Sequence, residues 1–273
     1  MELVAASKMR RAQDRALAAR PYAERMRSVL AALSAYAEHA DTDDLHPLLA
    51  EREVSHFAFI HITSDRGLAG GLNSNMNRAG AALALEHQPN VEQVSAITVG
   101  RKGRDFFRRS GFPLLAEFVA IGDFPGMEAV LPIARIVIDD YAAGKVDRVY
   151  LGYQNFVSTA VQRPTFRQLL PVVAPEGDAD EAGAAVDFIF EPAPAQLLAT
   201  LLPRYVEMQI FEALLEAAAS EQSARMVAMR QATDAAEEMV SDLTLTYNKA
   251  RQELITNDLL DIVGGKAALE RDQ

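Results

Sequence analysis

Near the start of the chain, apolar positions Met9, Ala12, Ala16, Ala19, Ala23, Met26, Leu30, Leu33 and Ala37 recur at alternating steps of three and four, with charged residues between them. The same alternation returns near the other end at Met226, Met229, Thr233, Ala236, Val240, Leu243, Tyr247, Ala250 and Leu254. This is the period of a coiled coil rather than the stripe of a helix lying on a globular body. Leu197 to Val263 contains a single proline, Pro203, and no glycine. A helix of about sixty residues there would be roughly 90 Å long, too long to bury its seam in one compact core. It needs a partner helix. The N-terminal segment is that partner, because its small alanines let two helix axes approach while Leu243 and Tyr247 fill the space between them. Pro21 lies inside the first pattern, and the heptad phase continues across it, so a kink is expected rather than a stop. Residues 1–40 and 200–262 are therefore expected to pair antiparallel.

Between them the period changes. Val54–Ile62, Val94–Val99, Leu115–Ile121 and Arg148–Phe156 are rich in β-branched and aromatic residues and are expected to be strands. Helical stretches at 75–88, 101–110 and 127–143 alternate with them. Such βαβα alternation predicts an open, mostly parallel sheet with helices on both faces. Val157–Arg163, Leu169–Val173 and Val186–Phe190 are expected as edge or hairpin strands, 174–185 as a loop, and Glu191–Pro194 as the joint to the long helix. The predicted class is α/β: a long antiparallel coiled coil of the N- and C-terminal helices plus a central, open, Rossmann-like lobe. The expected divisions are 1–45, 46–192 and 193–273.

Composition narrows the function classes. The chain of 273 residues has no cysteine, which excludes a disulfide switch, a thiol nucleophile and a thiolate metal site. No apolar run has the length of a membrane span, and the basic N-terminus lacks the uninterrupted apolar region of a secretory signal. A net charge of -11 argues against general nucleic-acid affinity. Yet Lys8, Arg10, Arg11, Arg15, Arg20, Arg25 and Arg27 outnumber Glu2, Asp14 and Glu24 within the first thirty residues. That excess is either a solvated helix face or a face that meets an acidic surface.

The candidate chemistry is sparse. Ser64-Asp65-Arg66-Gly67-Leu68-Ala69-Gly70-Gly71-Leu72-Asn73 follows the first strand and precedes a helix, where α/β folds hold phosphate. However, it lacks the Gly-Lys-Ser/Thr of a Walker loop, and its glycine spacing is not that of a dinucleotide fingerprint, so a structural turn is the simpler expectation. His39, His46, His56, His61 and His87 are scattered, and His56 and His61 fall on opposite faces of one strand. Glu237-Glu238 and Asp139-Asp140 suit solvated helix flanks, and Arg101, Lys102, Arg104, Arg108 and Arg109 make a basic helix face. No catalytic constellation, metal site or cofactor site assembles from these residues. The far part of the long helix crowds Asn248, Lys249, Arg251, Gln252, Glu253, Thr256 and Asn257 together, next to an apolar Leu259–Leu269 segment. An apolar helix tip of this kind makes sense when another protein surrounds it.

Met1–Gln13 (MELVAASKMRRAQ), Ser64–Asn73, Ser220–Met229 (SEQSARMVAM) and Tyr247–Gln252 with Ile255-Thr256 together closely resemble the gamma subunit of the F-type rotary ATP synthase, over essentially the whole chain. The resemblance implies a rotor shaft, present in one copy per complex, standing inside three alpha and three beta subunits. It also implies contact with epsilon and delta subunits and with the membrane c-ring. Proton flow would turn the shaft, which presents a different face to each catalytic beta subunit in turn. The chain itself would be non-catalytic and bind no cofactor and no nucleic acid. It would lie at the cytoplasmic face of a bacterial membrane. By position, Arg251, Gln252 and Thr256 match the family's polar cluster that meets a beta subunit, and Lys8, Arg10 and Arg11 match its basic stretch near an acidic loop of beta. Family members carry a further stretch ahead of the segment matching Met1. From Tyr247 onward the long helix is therefore expected to be held mostly by other subunits. Two other classes remain to be weighed: a nucleotide-binding α/β protein with a coiled-coil arm, which needs a working phosphate loop, and a nucleic-acid-binding coiled coil, which the acidic net charge opposes.

Overall fold

The computed structural model describes the backbone of residues 1–39, 46–173 and 194–271. The elements, in order, are α1 (Glu2–His39), β1 (His56–Ile62), α2 (Leu72–His87), β2 (Gln93–Val99), α3 (Arg101–Arg109), β3 (Leu114–Phe118), α4 (Met127–Ala142), β4 (Arg148–Phe156), β5 (Gln162–Leu170) and α5 (Pro194–Arg271). Pro21 and Pro203 lie inside α1 and α5 without ending either helix.

The strands form one sheet in the order β3-β2-β1-β4-β5. β1 is central and parallel to both neighbours, with Ile60 opposite Ile97 on one side and Leu151 on the other. Its run Phe57-Ala58-Phe59-Ile60 is buried throughout, as expected for a strand covered on both faces. Phe57, Phe59, Val94 and Ala96 point to one face and pack with Ala84 of α2 and Phe107 of α3. Ala58, Ile60, Ile97 and Val149 point to the other, toward Ile133 and Val137 of α4 and toward α1 and α5.

The edges of the sheet depart from the sequence-based expectation. Residues 157–163 and 169–173 do not form two short strands. Val157 and Val161 close a turn at 3.2 Å, and the chain returns as the single strand β5, antiparallel to β4. Ser158-Thr159 supplies hydroxyl-rich turn chemistry there, and Pro164 is tolerated because β5 lies at the sheet edge. β3 stops at Phe118 rather than Ile121, because Ala120 (φ 60°) and Gly122 (φ 89°) turn the chain away from the sheet. The expected loop 174–185, strand 186–190 and most of the joint lie outside the described residues.

Met26, Leu30 and Leu33 of α1 share a core with Leu202, Val206 and Ile210 of α5. Arg27 faces Glu212 at 3.4 Å, while Lys8 and Gln222 both reach Asp123, so position falls along α1 as it rises along α5. The two helices run antiparallel. Their register differs from the one the heptads suggested. α1 lies against the stretch of α5 between Leu198 and Arg225, whereas every residue from 230 to 266 is exposed, including Val240, Leu243, Tyr247 and Leu254. The anchor for this register is the large apolar end of α1, Leu30 and Leu33, seated in the lobe's core, rather than the alanine-rich segment. The chain divides into two compact units, Met1–Val227 and Ala228–Gln273. No described helix is long and apolar enough to cross a membrane.

Candidate functional site

In an open α/β sheet, ligands bind at the carboxyl ends of the strands, where the strand order reverses. Here that place is next to β1 and β4, and α5 occupies it. The cavity left between Thr63, Ser64, Gly100 and Gln154 of the lobe and Leu214, Ala217, Ala218 and Glu221 of α5 is about 50 Å³. Small-molecule sites usually need several hundred cubic ångströms. The glycine-rich turn is also closed on itself. Ser64 N–H donates to Asn73 Oδ1 at 3.1 Å, Asn73 Nδ2 donates to Ser64 Oγ at 2.7 Å, and Ser64 Oγ donates to the Arg66 carbonyl at 2.6 Å. Leu68 and Gly70 adopt positive φ of 63° and 55°. The outward carbonyl of Gly67 accepts from Arg225 of α5 at 3.3 Å. The turn therefore docks a helix, and the reading as a phosphate loop does not fit its geometry.

The segment Ser220–Arg225 is the matching half of that dock. Ser220 Oγ donates to the Gln154 carbonyl at 2.9 Å and Ser223 Oγ to the Thr159 carbonyl at 2.8 Å. Arg225 pairs with Glu221 at 2.6 Å. Burial raises the pKa of the Glu221 carboxyl, and the hydrogen bond from Arg225 pulls it partly back. Gln222 reaches Asp123 at 3.4 Å. None of these residues was chosen as a site from the sequence. The signal was available, since Ser, Gln and Arg interrupt a run of alanines on a face that should be apolar.

The sequence-predicted contact residues are placed in two groups. On α1, Arg10 and Arg11 are exposed, but Lys8 is half-buried with its Nζ 2.7 Å from Asp123 Oδ2. On α5, Arg251, Gln252 and Thr256 are all exposed, and the Thr256 hydroxyl donates back to the Gln252 carbonyl at 2.8 Å. Gln252 and Thr256 share one helix face, and Arg251 lies about a quarter-turn away. They stand among exposed Tyr247, Leu254, Ile255 and Leu259, so hydrogen-bonding groups and apolar surface alternate along the stretch. Among the described residues, no three His, Asp or Glu side chains gather as a metal ion would require.

A family model described as ATP synthase matches residues 1–269. The ATP synthase gamma chain of Dehalococcoides mccartyi is 53% identical over 269 residues, covering 98% of this chain and 92% of that one. This chain belongs to the ATP synthase gamma-chain family. The gamma chain of Chloroflexus aurantiacus is 47% identical over 270 residues, covering 98% and 91%. Among solved structures, a chain of the Tetrahymena thermophila mitochondrial ATP synthase central stalk and c-ring superposes with a TM-score of 0.62 at 25% identity, over 85% of this chain and 97% of that one. A chain of the Euglena gracilis mitochondrial ATP synthase has a TM-score of 0.60 at 20% identity and shares the fold. Membership of the gamma-chain family makes the chain a peripheral subunit of the F1 part.

Proposed function

We propose that this chain is the central rotor shaft of an F-type ATP synthase, coupling ion flow through a membrane ring to the conformational cycle of the catalytic subunits. The observation that carries the reading is the exposed stretch 230–266, which displays Val240, Leu243, Tyr247, Leu254, Leu259 and Ile262. An isolated protein rarely leaves such a surface to water, and a surrounding ring of partners would cover it. The alpha and beta subunits, three of each, are assigned to that role, with epsilon, delta and the c-ring as the other partners. Segments 1–45 and 193–273 serve as the shaft, and 46–192 as the lobe.

The chain's own role is mechanical. A turning, asymmetric helix changes the equilibrium of a partner only by contacting its conformers unequally. Arg251, Gln252 and Thr256, with Arg10 and Arg11, are the groups proposed to make such contacts with a beta subunit. Lys8 belongs to the same basic stretch, and its engagement with Asp123 gives it a second task, holding α1 in place. The chain carries out no hydrolysis itself and lies at the cytoplasmic face of a bacterial membrane, bound to the membrane ring. Co-expression with alpha, beta and epsilon subunits tests the reading. One copy should purify with three alpha and three beta subunits, and the complex should hydrolyse ATP. Recovery of this chain only as a free monomer beside an assembled ring would overturn it.

A further inference from the structure

The loop between β3 and α4 touches both shaft helices at one point. Asp123 Oδ2 accepts from Lys8 Nζ of α1 at 2.7 Å, and Asp123 Oδ1 accepts from Gln222 Nε2 of α5 at 3.4 Å. The next residue, Phe124, lies under the Arg15 guanidinium, 4.9 Å from ring centre to Cζ. Lys8 and Arg15 are two helical turns apart on one face of α1, so two neighbouring loop residues grip that face twice. The positive φ of Ala120 and Gly122 bends the loop away from the sheet edge just before it reaches the helices. The hydrogen bond from Lys8 holds the Asp123 carboxyl below the usual carboxylate range.

The two helices are fastened differently. α5 is tied to the lobe by Ser220, Ser223 and Arg225 in addition to Gln222. Among the described side chains of residues 1–20, only Lys8 and Arg15 make polar or cation–π ties to the lobe. The apolar contacts of α1 with the main core, from Met26 onward, lie further along the helix. A force turning the lobe therefore reaches α5 through several polar ties, whereas its polar ties to the first turns of α1 run through this loop alone, beside the apolar packing that buries Ala5 and Ala12.

We propose that Asp123 is a positioning residue, the centre of a clasp that makes α1, α5 and the lobe turn as one body. The proposal rests on the rotor reading above. It requires that the clasp stay closed through the whole cycle. A half-exposed ion pair in this geometry has a modest strength, so its loss should weaken coupling rather than abolish assembly.

The test uses the complete complex in membrane vesicles, with ATP-driven proton pumping and ATP hydrolysis measured on the same preparation. Lys8→Glu and Asp123→Lys should each lower protons pumped per ATP by about threefold, in line with the strength of such a pair. The double variant, with the charges exchanged, should recover most of the ratio. A purely structural defect would lower pumping and hydrolysis together and leave the ratio unchanged. Because the chain has no cysteine, Arg15→Cys with Phe124→Cys, at the loop's other grip on α1, creates a single reactive pair that a short bis-maleimide can lock. The locked shaft should pump with the parent ratio. Unchanged ratios in both single variants, no recovery on exchange, or arrest by the cross-link would each overturn the clasp. Failure of the parent chain to assemble with alpha and beta subunits would instead strike the rotor reading itself, and the clasp's function with it.

Discussion

Two stretches of the same helix carry similar patterns and meet opposite surroundings. Between Leu198 and Ala219, α5 buries Leu202, Val206, Ile210, Ala213 and Leu215 against α1 and the lobe. Between residues 230 and 266 it buries nothing, although its large apolar residues recur just as regularly. A heptad records that a helix is able to pair. Whether the partner belongs to the same chain depends on contacts far away in sequence, here Leu30 and Leu33 of α1. The first stretch should therefore respond to mutation as a core does, and the second as a surface does for as long as the chain is alone.

The largest effect should come from Ile210→Ala. Ile210 is fully buried, and truncating such a side chain typically costs about 3–4 kcal/mol in lost burial and cavity formation. Urea denaturation of the purified chain measures this. A cost below about 1 kcal/mol would mean that the first stretch is not a core, and the contrast between the two stretches would collapse.

The lobe that holds the first stretch should also be acid-sensitive. His61 is buried between α2 and α3, and its Nε2–H donates to Asn77 Oδ1 at 2.9 Å. Its Nδ1 has no partner among the described residues. Burial lowers its pKa from 6.5 to about 4, against a smaller opposing effect of the Asn77 hydrogen bond. The folded-state value lies below the unfolded one, so the unfolded chain binds the extra proton. The stability contribution is complete above pH 6.5 and is lost as pH falls toward 4, up to about 3 kcal/mol. Glu216 and Glu221 act in the opposite sense, because burial raises their pKa values and favours the folded state at lower pH. Comparing the parent with His61→Gln between pH 7 and pH 4.5 cancels those two. The parent should lose more stability across that window than the variant, and equal losses would show that His61 does not titrate as a buried group.

A smaller effect is expected at the turn that docks α5. Gly70 has φ 55° and no atom within 4 Å of where a Cβ would stand. Gly70→Ala should therefore cost only the backbone preference, about 1 kcal/mol. A thermal melt of the purified chain checks this, and a loss of several kcal/mol would point to a tighter packed turn.

The alternation of strands and helices in the lobe was legible because β1, β2 and β4 are apolar runs and α2, α3 and α4 lie between them. Local chemistry also marked the turn at Ser64–Asn73. What the sequence could not disclose were pairings between distant residues. His61 is buried because Gly80 and Gly103 leave space on either side of its ring, each so close that an added Cβ would lie 2.8 Å from it. Nothing in the local pattern links those three residues. Asp123 meets Lys8 across a separation of 115 residues, so the acidic partner of the basic stretch was within the chain as well as a possibility outside it. Arg251, Gln252 and Thr256 stand within the polar crowd from Asn248 to Asn257 that the sequence displays, and what distinguishes these three is the family resemblance rather than the local pattern. Their exposure follows from α5 itself, and the identity of their partner does not.

The smallest effect is the one that bears most directly on the contrast. Leu243 is 62% exposed on α5. Replacing an exposed helical leucine with alanine removes little buried surface and slightly improves helix propensity, so Leu243→Ala should change the stability of the isolated chain by no more than about 0.3 kcal/mol. Sedimentation equilibrium alongside the urea curve separates the possible outcomes. If the change stays small and the chain is monomeric, the second stretch is a surface awaiting partners. A cost of more than about 1 kcal/mol, with dependence on protein concentration, would mean that a second copy covers Leu243 in solution, because a self-associating helix loses the burial that its partner supplied. In that case the exposed stretch would share the physics of the buried one even without the ring, and its exposure could no longer be used as evidence for a different partner.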